Sequence, residues 1–336
     1  MTAKKRYLLL CLVAVSLAYF VIVLGAYTRL TDSGLGCPDW PGCYGKIIMP
    51  GGSEFEAKAN AAYPERPLQH KKAWTEMAHR YAAGSLGLLI LALAVHNLQA
   101  KRREPGIPVL PPLLLLGLVI FQAALGMWTV TLLLKPVIVM GHLLGGMCIL
   151  ALLWWLLINA SYPPPCVKWD RQSGLVAVAV CVLFMQIALG GWTSTNYAAL
   201  ACVDFPRCQG EWWPEMDFSQ GFVLWRGLGV DYEGGVLDMP ARTAIHVTHR
   251  LGAICAFLVI AGVSVLAMLG KNKTLFRCGL VVLVCLLAQV SLGIANVLLV
   301  LPLPVAVAHN GVAALLLMAL IALLHFSRTQ KPTQAD

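Results

Sequence analysis

Four histidines, His79, His142, His249 and His309, lie within long apolar stretches, where an ionisable side chain is costly and marks function by default. Each stands one to two turns inside its stretch, on an even-numbered span that runs from the outer face inward. At 1.5 Å per residue, five residues set a side chain roughly 7 Å below a helix start, so all four are expected at one depth. They are related in pairs. Ala78-His79-Arg80 answers Thr248-His249-Arg250 at an offset of 170 residues, and QAALG (Gln122 to Gly126) answers QVSLG (Gln289 to Gly293) at 167, a shift that also carries His142 onto His309. Two imidazoles facing each other within a four-helix bundle form an axial pair for haem iron. A single membrane histidine is as often hydrogen-bonded to a neighbouring helix; four at repeat-related positions favour ligation.

The surroundings of the two pairs differ. Glu76 stands three residues before His79, where His246 stands three before His249. Residues three apart share a helix face, so Glu76 is expected to look toward whatever His79 binds. The loss of that carboxylate in the second half points to one reactive haem site and one electron-transfer or structural site. It also leaves His246 as a rival ligand to His249, which the repeat position favours. Arg80 and Arg250 directly follow the histidines. A guanidinium there suits either a haem propionate, gripped bidentately, or a lipid phosphate reached by snorkelling. His70, His96 and His325 have no counterpart in the repeat and are expected at the surface.

Of eleven cysteines, Cys37 with Cys43 and Cys202 with Cys208 form two C-x5-C pairs between apolar stretches. Pro41 and Pro206 favour the turn that each pair needs to close as a disulfide in an oxidising exterior. The other seven, at positions 11, 148, 166, 181, 255, 278 and 285, are expected as small apolar packing residues. A thiol relay through the outer pairs is the alternative.

The elements that must position these groups are membrane helices. The chain has 336 residues, 59% hydrophobic and 12% charged, against roughly 25% charged in soluble domains. We read an all-α integral membrane protein with eight transmembrane helices arranged as two pseudo-symmetric four-helix bundles. The spans fall at about 7–28, 74–97, 110–132, 138–158, 174–194, 242–269, 276–299 and 304–325, near the ~20 residues that a ~30 Å hydrocarbon layer requires. Pro302 and Pro304 divide the last uncharged run. The first span follows Lys4, Lys5 and Arg6 as a signal peptide would, but it is too long and lacks an A-x-A-like exit, so it stays a helix.

Residues Leu24 to Cys43 (LGAYTRLTDSGLGCPDWPGC) answer Leu189 to Cys208 (LGGWTSTNYAALACVDFPRC) at an offset of 165. The chain is therefore a four-span unit used twice. The N-terminal bundle covers residues 1–158, a cytoplasmic linker with Pro163, Pro164 and Pro165 covers 159–173, and the C-terminal bundle covers 174–336. An even number of spans per unit gives both halves the same orientation. Lys4, Lys5, Arg6, Lys101, Arg102, Arg103, Lys168, Arg171, Lys271, Lys273, Arg277, Arg328 and Lys331 gather on one side, against only Glu104, Asp170 and Asp336. That side is expected to be cytoplasmic, with both termini on it, in a cell's inner membrane. The net charge of +9 thus reflects topology. No basic stripe with interleaved aromatics points to nucleic acid.

The duplicated unit, the run Glu76-Met77-Ala78-His79-Arg80, the four paired histidines and the twin cysteine pairs together resemble the haem A synthase family over nearly the whole chain. Family members carry one such cysteine pair, both or neither. The resemblance implies that the C-terminal half holds haem b on His249 and His309, while the N-terminal half receives haem O on His79 and His142. The implied reaction converts the haem O ring methyl to a formyl group through a hydroxymethyl intermediate. Glu76 would accept a proton or stabilise a cationic intermediate; both roles stay open. Implied partners are membrane lipid, a haem O synthase, an electron acceptor and a second copy of the chain.

Two other classes compete. A haem-bearing membrane electron carrier would explain the histidines, but it stacks haems near both faces, whereas these ligands share one depth. A quinone-linked thiol oxidase would use the outer cysteines and has no need of four matched histidines.

Overall fold

The computed structural model describes residues 2–49, 52–102, 109–163 and 169–328. Arg103, Glu104, Pro164, Pro165, Cys166, Lys168, Lys331 and Asp336 lie outside the described residues. Among the described residues ten helices follow one another: α1 (Ala3–Leu30), α2 (Ser53–Ala62), α3 (His70–Lys101), α4 (Leu110–Thr131), α5 (Pro136–Ser161), α6 (Arg171–Thr195), α7 (Phe218–Gly221), α8 (Met239–Leu269), α9 (Lys273–Leu298) and α10 (Leu303–Ser327). Eight of them, all but α2 and α7, are long and apolar enough to cross a bilayer. The chain is a multi-pass, all-helical membrane protein.

The helices overrun the apolar stretches that announce them, because caps rather than hydropathy set their ends. Thr2, Asp170, Asp238 and Asn272 cap α1, α6, α8 and α9, accepting from the N–H groups of Lys5, Ser173, Ala241 and Thr274; each satisfies a donor that a helix start leaves unpaired. Proline opens α4, α5, α8 and α10, where its missing N–H costs no helical bond. The last turn of α5 and the first of α6 lie within the stretch read as linker.

Duplication reaches the backbone. Among the described residues the non-glycine positions with positive φ are Asp32 and Tyr197, Tyr44 and Gln209, Leu133 and Val300, Leu134 and Leu301. Every one has its repeat mate in the same conformation, although the side chains differ in three of the four pairs. Left-handed backbone is unfavourable for residues with a Cβ, most of all for a β-branched valine, so the turn shapes are imposed by the helices they join. The α4–α5 and α9–α10 turns are the clearest case.

Helix α1 packs on α3 and α5, and α4 packs on the same two; α6 packs on α8 and α10, and α9 packs on the same two. Among the described residues neither α3 and α5 nor α8 and α10 approach directly. Contacts between the two sets run through α10 with α1 and α5, and through α5 with α6. Arg29 donates to the carbonyl of Ser194 at 2.6 Å and Tyr197 to Asp32 at 3.2 Å, so residues here touch their own repeat counterparts.

The tightly packed apolar core, with Ile90, Leu93, Leu150, Leu153, Ile260 and Leu317 among its fully buried members, fills the ends of the helices away from the long loops. The four histidines stand on its rim, between that floor and the loops. A groove between α1 and α5, lined by Leu8, Leu12, Trp154 and Tyr162, opens at the far end and takes no part in the site.

One loop segment crosses between halves. Tyr232 donates its N–H to the carbonyl of Leu133 at 3.1 Å. Arg66 pairs with Asp231 at 2.5 Å and Glu233 at 2.8 Å. Lys135, only 1% exposed, donates to the carbonyl of Gly227 at 3.2 Å and stands 3.5 Å from the centre of the Trp225 ring.

Candidate functional site

Each of the four matched histidines faces a glycine on the preceding membrane-spanning helix, α1, α4, α6 or α9. A Cβ on Gly25 would stand 2.9 Å from Cε1 of His79; on Gly126, 3.2 Å from that of His142; on Gly190, 3.2 Å from that of His249; on Gly293, 3.1 Å from that of His309. The first approach is closer than carbon atoms tolerate and the other three are tight enough that the ring would have to give by a few tenths of an ångström, so glycine is what leaves the rings where they are. In the first half the rings of His79 and His142 stand edge to face, with centroids 6.4 Å apart. The Nδ1 atoms of His79, His142 and His309 are buried without a hydrogen-bond partner.

Glutamines touch three of the four histidines. Gln122 donates to the carbonyl of His142 at 2.5 Å. Gln289 Nε2 lies 3.2 Å from Nε2 of His309. Gln186 Nε2 lies 3.0 Å from Nδ1 of His249 and donates to its carbonyl at 3.0 Å.

Above each histidine pair sits a small cystine ring. Cys37 and Cys43 are bonded, with Cα atoms 4.8 Å apart, and Cys202 and Cys208 likewise, 4.7 Å apart. Asp39 accepts from the N–H groups of Tyr44 and Gly45 at 2.7 and 2.8 Å, and Asp204 from those of Gln209 and Gly210 at 2.7 and 2.9 Å. The N–H of Gly210, with that of Gln209, holds the Asp204 carboxyl below its ordinary pKa.

Both arginines that follow the histidines clamp these rings. Arg80 donates to the carbonyls of Asp39 at 2.9 Å and Gly42 at 2.5 Å. Arg250 donates to those of Asp204 and Arg207, both at 2.8 Å. Peptide carbonyls take up guanidinium donors of both arginines, while Nε of Arg250 is buried without a hydrogen-bond partner.

Glu76, expected to face the ligand space, turns instead toward the first cystine ring. It is 4% exposed, accepts from the Cys37 N–H at 2.8 Å and pairs with Arg80. His246 occupies the equivalent place and is also 4% exposed; its Nδ1–H donates to the carbonyl of Ala198 at 3.0 Å. That contact turns its ring toward the loop, while His249 faces Gly190.

The sequence model of the COX15-CtaA family, described as cytochrome oxidase assembly protein, matches residues 7–321. A heme A synthase from Shewanella oneidensis is 45% identical over 313 residues, which cover 91% of this chain and 92% of the relative. Heme A synthases from Granulibacter bethesdensis and Paracoccus denitrificans are 28% and 27% identical, over 92% of this chain and 83% and 84% of their own lengths. The chain belongs to the COX15-CtaA family.

Within that family frame, several sequence-based expectations need correction. His325 is 3% exposed rather than superficial: it lies 3.0 Å from the carbonyl of Tyr162 and against the Trp155 ring, because the last turn of α10 packs on the end of α5. His70 is exposed at the start of α3, 3.4 Å from Glu56, and His96 is partly exposed. Cys11 is a buried packing residue, but Cys181 and Cys255 face outward. The glycine cradles and the glutamines were missed as site residues. Six of those seven, Gly25, Gly126, Gly190, Gly293, Gln122 and Gln289, lie in the repeated motifs themselves; Gln186 lies outside them.

Proposed function

We propose that the chain is a haem A synthase: an oxidoreductase that converts the ring methyl of haem O to the formyl group of haem A, receiving haem O between His79 and His142 and keeping haem b between His249 and His309. The observation that carries this reading is the His79–His142 pair. Its 6.4 Å ring separation is near the roughly 6 Å expected when two imidazole nitrogens each lie about 2 Å from one metal. The residues fit the group in other respects too. Three of the four Nδ1 atoms lack partners, and the glycine facing each ring fixes its position without filling the space beside it.

When bound, haem b supplies the one-electron redox chemistry. The protein's own residues bind, orient and handle protons. His249 and His309 hold the cofactor from helices that do not touch each other, as His79 and His142 hold the substrate. Arg80 and Arg250 keep a cystine ring as a roof above each pair, and the roof limits water at the ring edge. Glu76 is the sole carboxylate within four residues of any of these histidines, and it takes up a proton at its carboxylate oxygens as the methyl group is oxidised. We place the N-terminal unit at 1–158 and the C-terminal unit at 174–336, with cystine loops outside an inner membrane and both termini in the cytoplasm. The Lys/Arg distribution and the need of disulfides for an oxidising compartment support that placement.

Acid extraction of the purified protein, followed by chromatography of its haems, tests the reading. Haem b accompanied by haem O or haem A is the expected result. Haem b alone would move the protein to the electron carriers, and no haem at all would overturn both.

A further inference from the structure

Resting on that assignment of ligands, we propose that Gln186 is a positioning residue that locks haem b onto His249, and that Val21, its counterpart in the first half, leaves the haem on His79 free to exchange. Gln186 and Gly190 are one turn apart on α6 and share a face. Both touch His249, the glutamine through its amide at 3.0 Å from Nδ1 and the glycine through the close approach to Cε1. The same amide donates to the His249 carbonyl at 3.0 Å, so it is fixed to the helix that carries the ring it contacts.

The repeat offset of 165 carries Gly190 onto Gly25 and Gln186 onto Val21. Gly25 faces His79 as Gly190 faces His249, so the face of α1 one turn earlier belongs to Val21, whose backbone comes within reach of the His79 ring but whose side chain offers only methyl groups. Nδ1 of His79 is buried with no hydrogen-bond partner, as are those of His142 and His309, so His249 alone of the four has a side-chain partner at Nδ1. Across each site the halves agree: Gln122 and Gln289 occupy matching places on α4 and α9. Their contacts differ, Gln122 reaching the carbonyl of His142 and Gln289 the ring of His309, but the glutamine present in one half and absent from the other is Gln186.

In a neutral imidazole one nitrogen donates and the other accepts. A partner at Nδ1 decides which nitrogen offers its lone pair to a metal, and an acceptor there raises the basicity of the ligand. Oε1 of Gln186 is buried without a hydrogen-bond partner. Turned about its terminal torsion, the amide would exchange its bond to the His249 carbonyl for one in which Oε1 accepts from Nδ1–H, which would leave Nε2 to hold the iron. Outer partners of this kind are worth roughly 10–100-fold in metal affinity. A resident cofactor requires that retention. A substrate haem that must leave as product is hindered by it.

The test uses whole, haem-loaded protein in detergent, with two readouts: the midpoint potential of haem b and the rate of haem loss to an excess of haem-scavenging apoglobin. Gln186→Leu should raise the potential and speed haem b loss roughly 10–100-fold. Gln186→Glu, which keeps an acceptor oxygen and adds charge, should lower the potential and preserve retention. Val21→Gln should slow the release of the haem on His79 by a comparable factor. Wild-type potential and loss rate in both Gln186 variants would overturn the proposal, as would Val21→Gln with an unchanged release rate. Should Gln186→Leu fail to fold, the other two variants still decide. His249→Ala separates this from the ligand assignment. If it keeps haem b, the assignment falls; if it loses haem b while the Gln186 variants behave as wild type, only the role of Gln186 falls.

Discussion

His79 and His249 stand in nearly the same frame. Each faces a glycine, each precedes an arginine that clamps a cystine ring, and the turns around both take the same left-handed backbone at matched positions. The contrast lies in two side chains. One turn before the histidine a carboxylate, Glu76, stands where the second half has His246; beside the ring Val21 stands where the second half has Gln186. What this teaches is where a duplicated membrane protein can diverge. Backbone turns and helix contacts are shared constraints, because changing one moves every group hung on it. A side chain that reaches a ring or a loop can change alone.

The strongest way to break the comparison is to remove the rings. His249→Ala or His309→Ala should abolish the haem b absorption spectrum, whereas His79→Ala or His142→Ala should leave it and abolish turnover of haem O. Equal loss of a single haem from all four variants would mean that the halves do not divide the work.

Next comes Glu76. Glu76→Gln keeps one acceptor oxygen for the Cys37 N–H but removes the basic site, so haem b absorption should persist while haem A formation falls roughly 10²-fold or more. Haem O should accumulate in the chromatogram, and Glu76→Asp should fall between. A wild-type rate in Glu76→Gln would leave the carboxylate as an anchor for the first cystine ring, through Cys37 and Arg80, and nothing more.

The shared frame can be sharpened with glycines. Gly25→Ala and Gly190→Ala should each displace the facing ring, with an overpacking cost of about 1–3 kcal/mol; the first should impair haem O binding and the second the haem b spectrum. Gly87→Ala and Gly117→Ala, whose added methyl would meet nothing within 4 Å, should leave both unchanged. Similar losses in all four variants would show that helix flexibility, rather than the cradle, is what the glycines provide.

The eight spans were legible because lipid admits little but apolar side chains, and the depth of the histidines followed from helical rise once the repeat had paired them. The cystine pairs were legible for a similar reason: two copies of one spacing, each with a proline inside. Side-chain direction was not. Glu76 and Arg80 share a helix with His79, but the loop that captures them has a shape no pattern of residue types reveals. Gln186 escaped because repeats draw attention to what is the same, and its value lies in having no twin. His325 looked superficial, being near the end of the chain, until α10 was seen to fold its last turn against α5. The short helices α2 and α7, embedded in polar loops, carry no lipid signal at all.

The smallest expected effect concerns the segment that crosses between halves. Arg66→Ala removes a partly exposed ion-pair group and should cost only about 0–1 kcal/mol. Limited proteolysis should cut the 222–238 segment faster, with no change in haem b absorption. If haem O turnover fell as well, the segment would have to be counted as part of the first half's site.

Synthesis delivers the first half of such a chain before the second. Lys135 sits at the start of α5, yet the aromatic face and the carbonyl that receive its ammonium belong to Trp225 and Gly227, and the acids that hold Arg66 are Asp231 and Glu233. At the moment when its four spans are complete, the older half therefore lacks part of its outer covering, and a later-born stretch of chain finishes it. Maturation runs backward across the outer face: the last loop to emerge closes the first unit made. Two separately expressed halves would need to find each other before the N-terminal one could reach its final form.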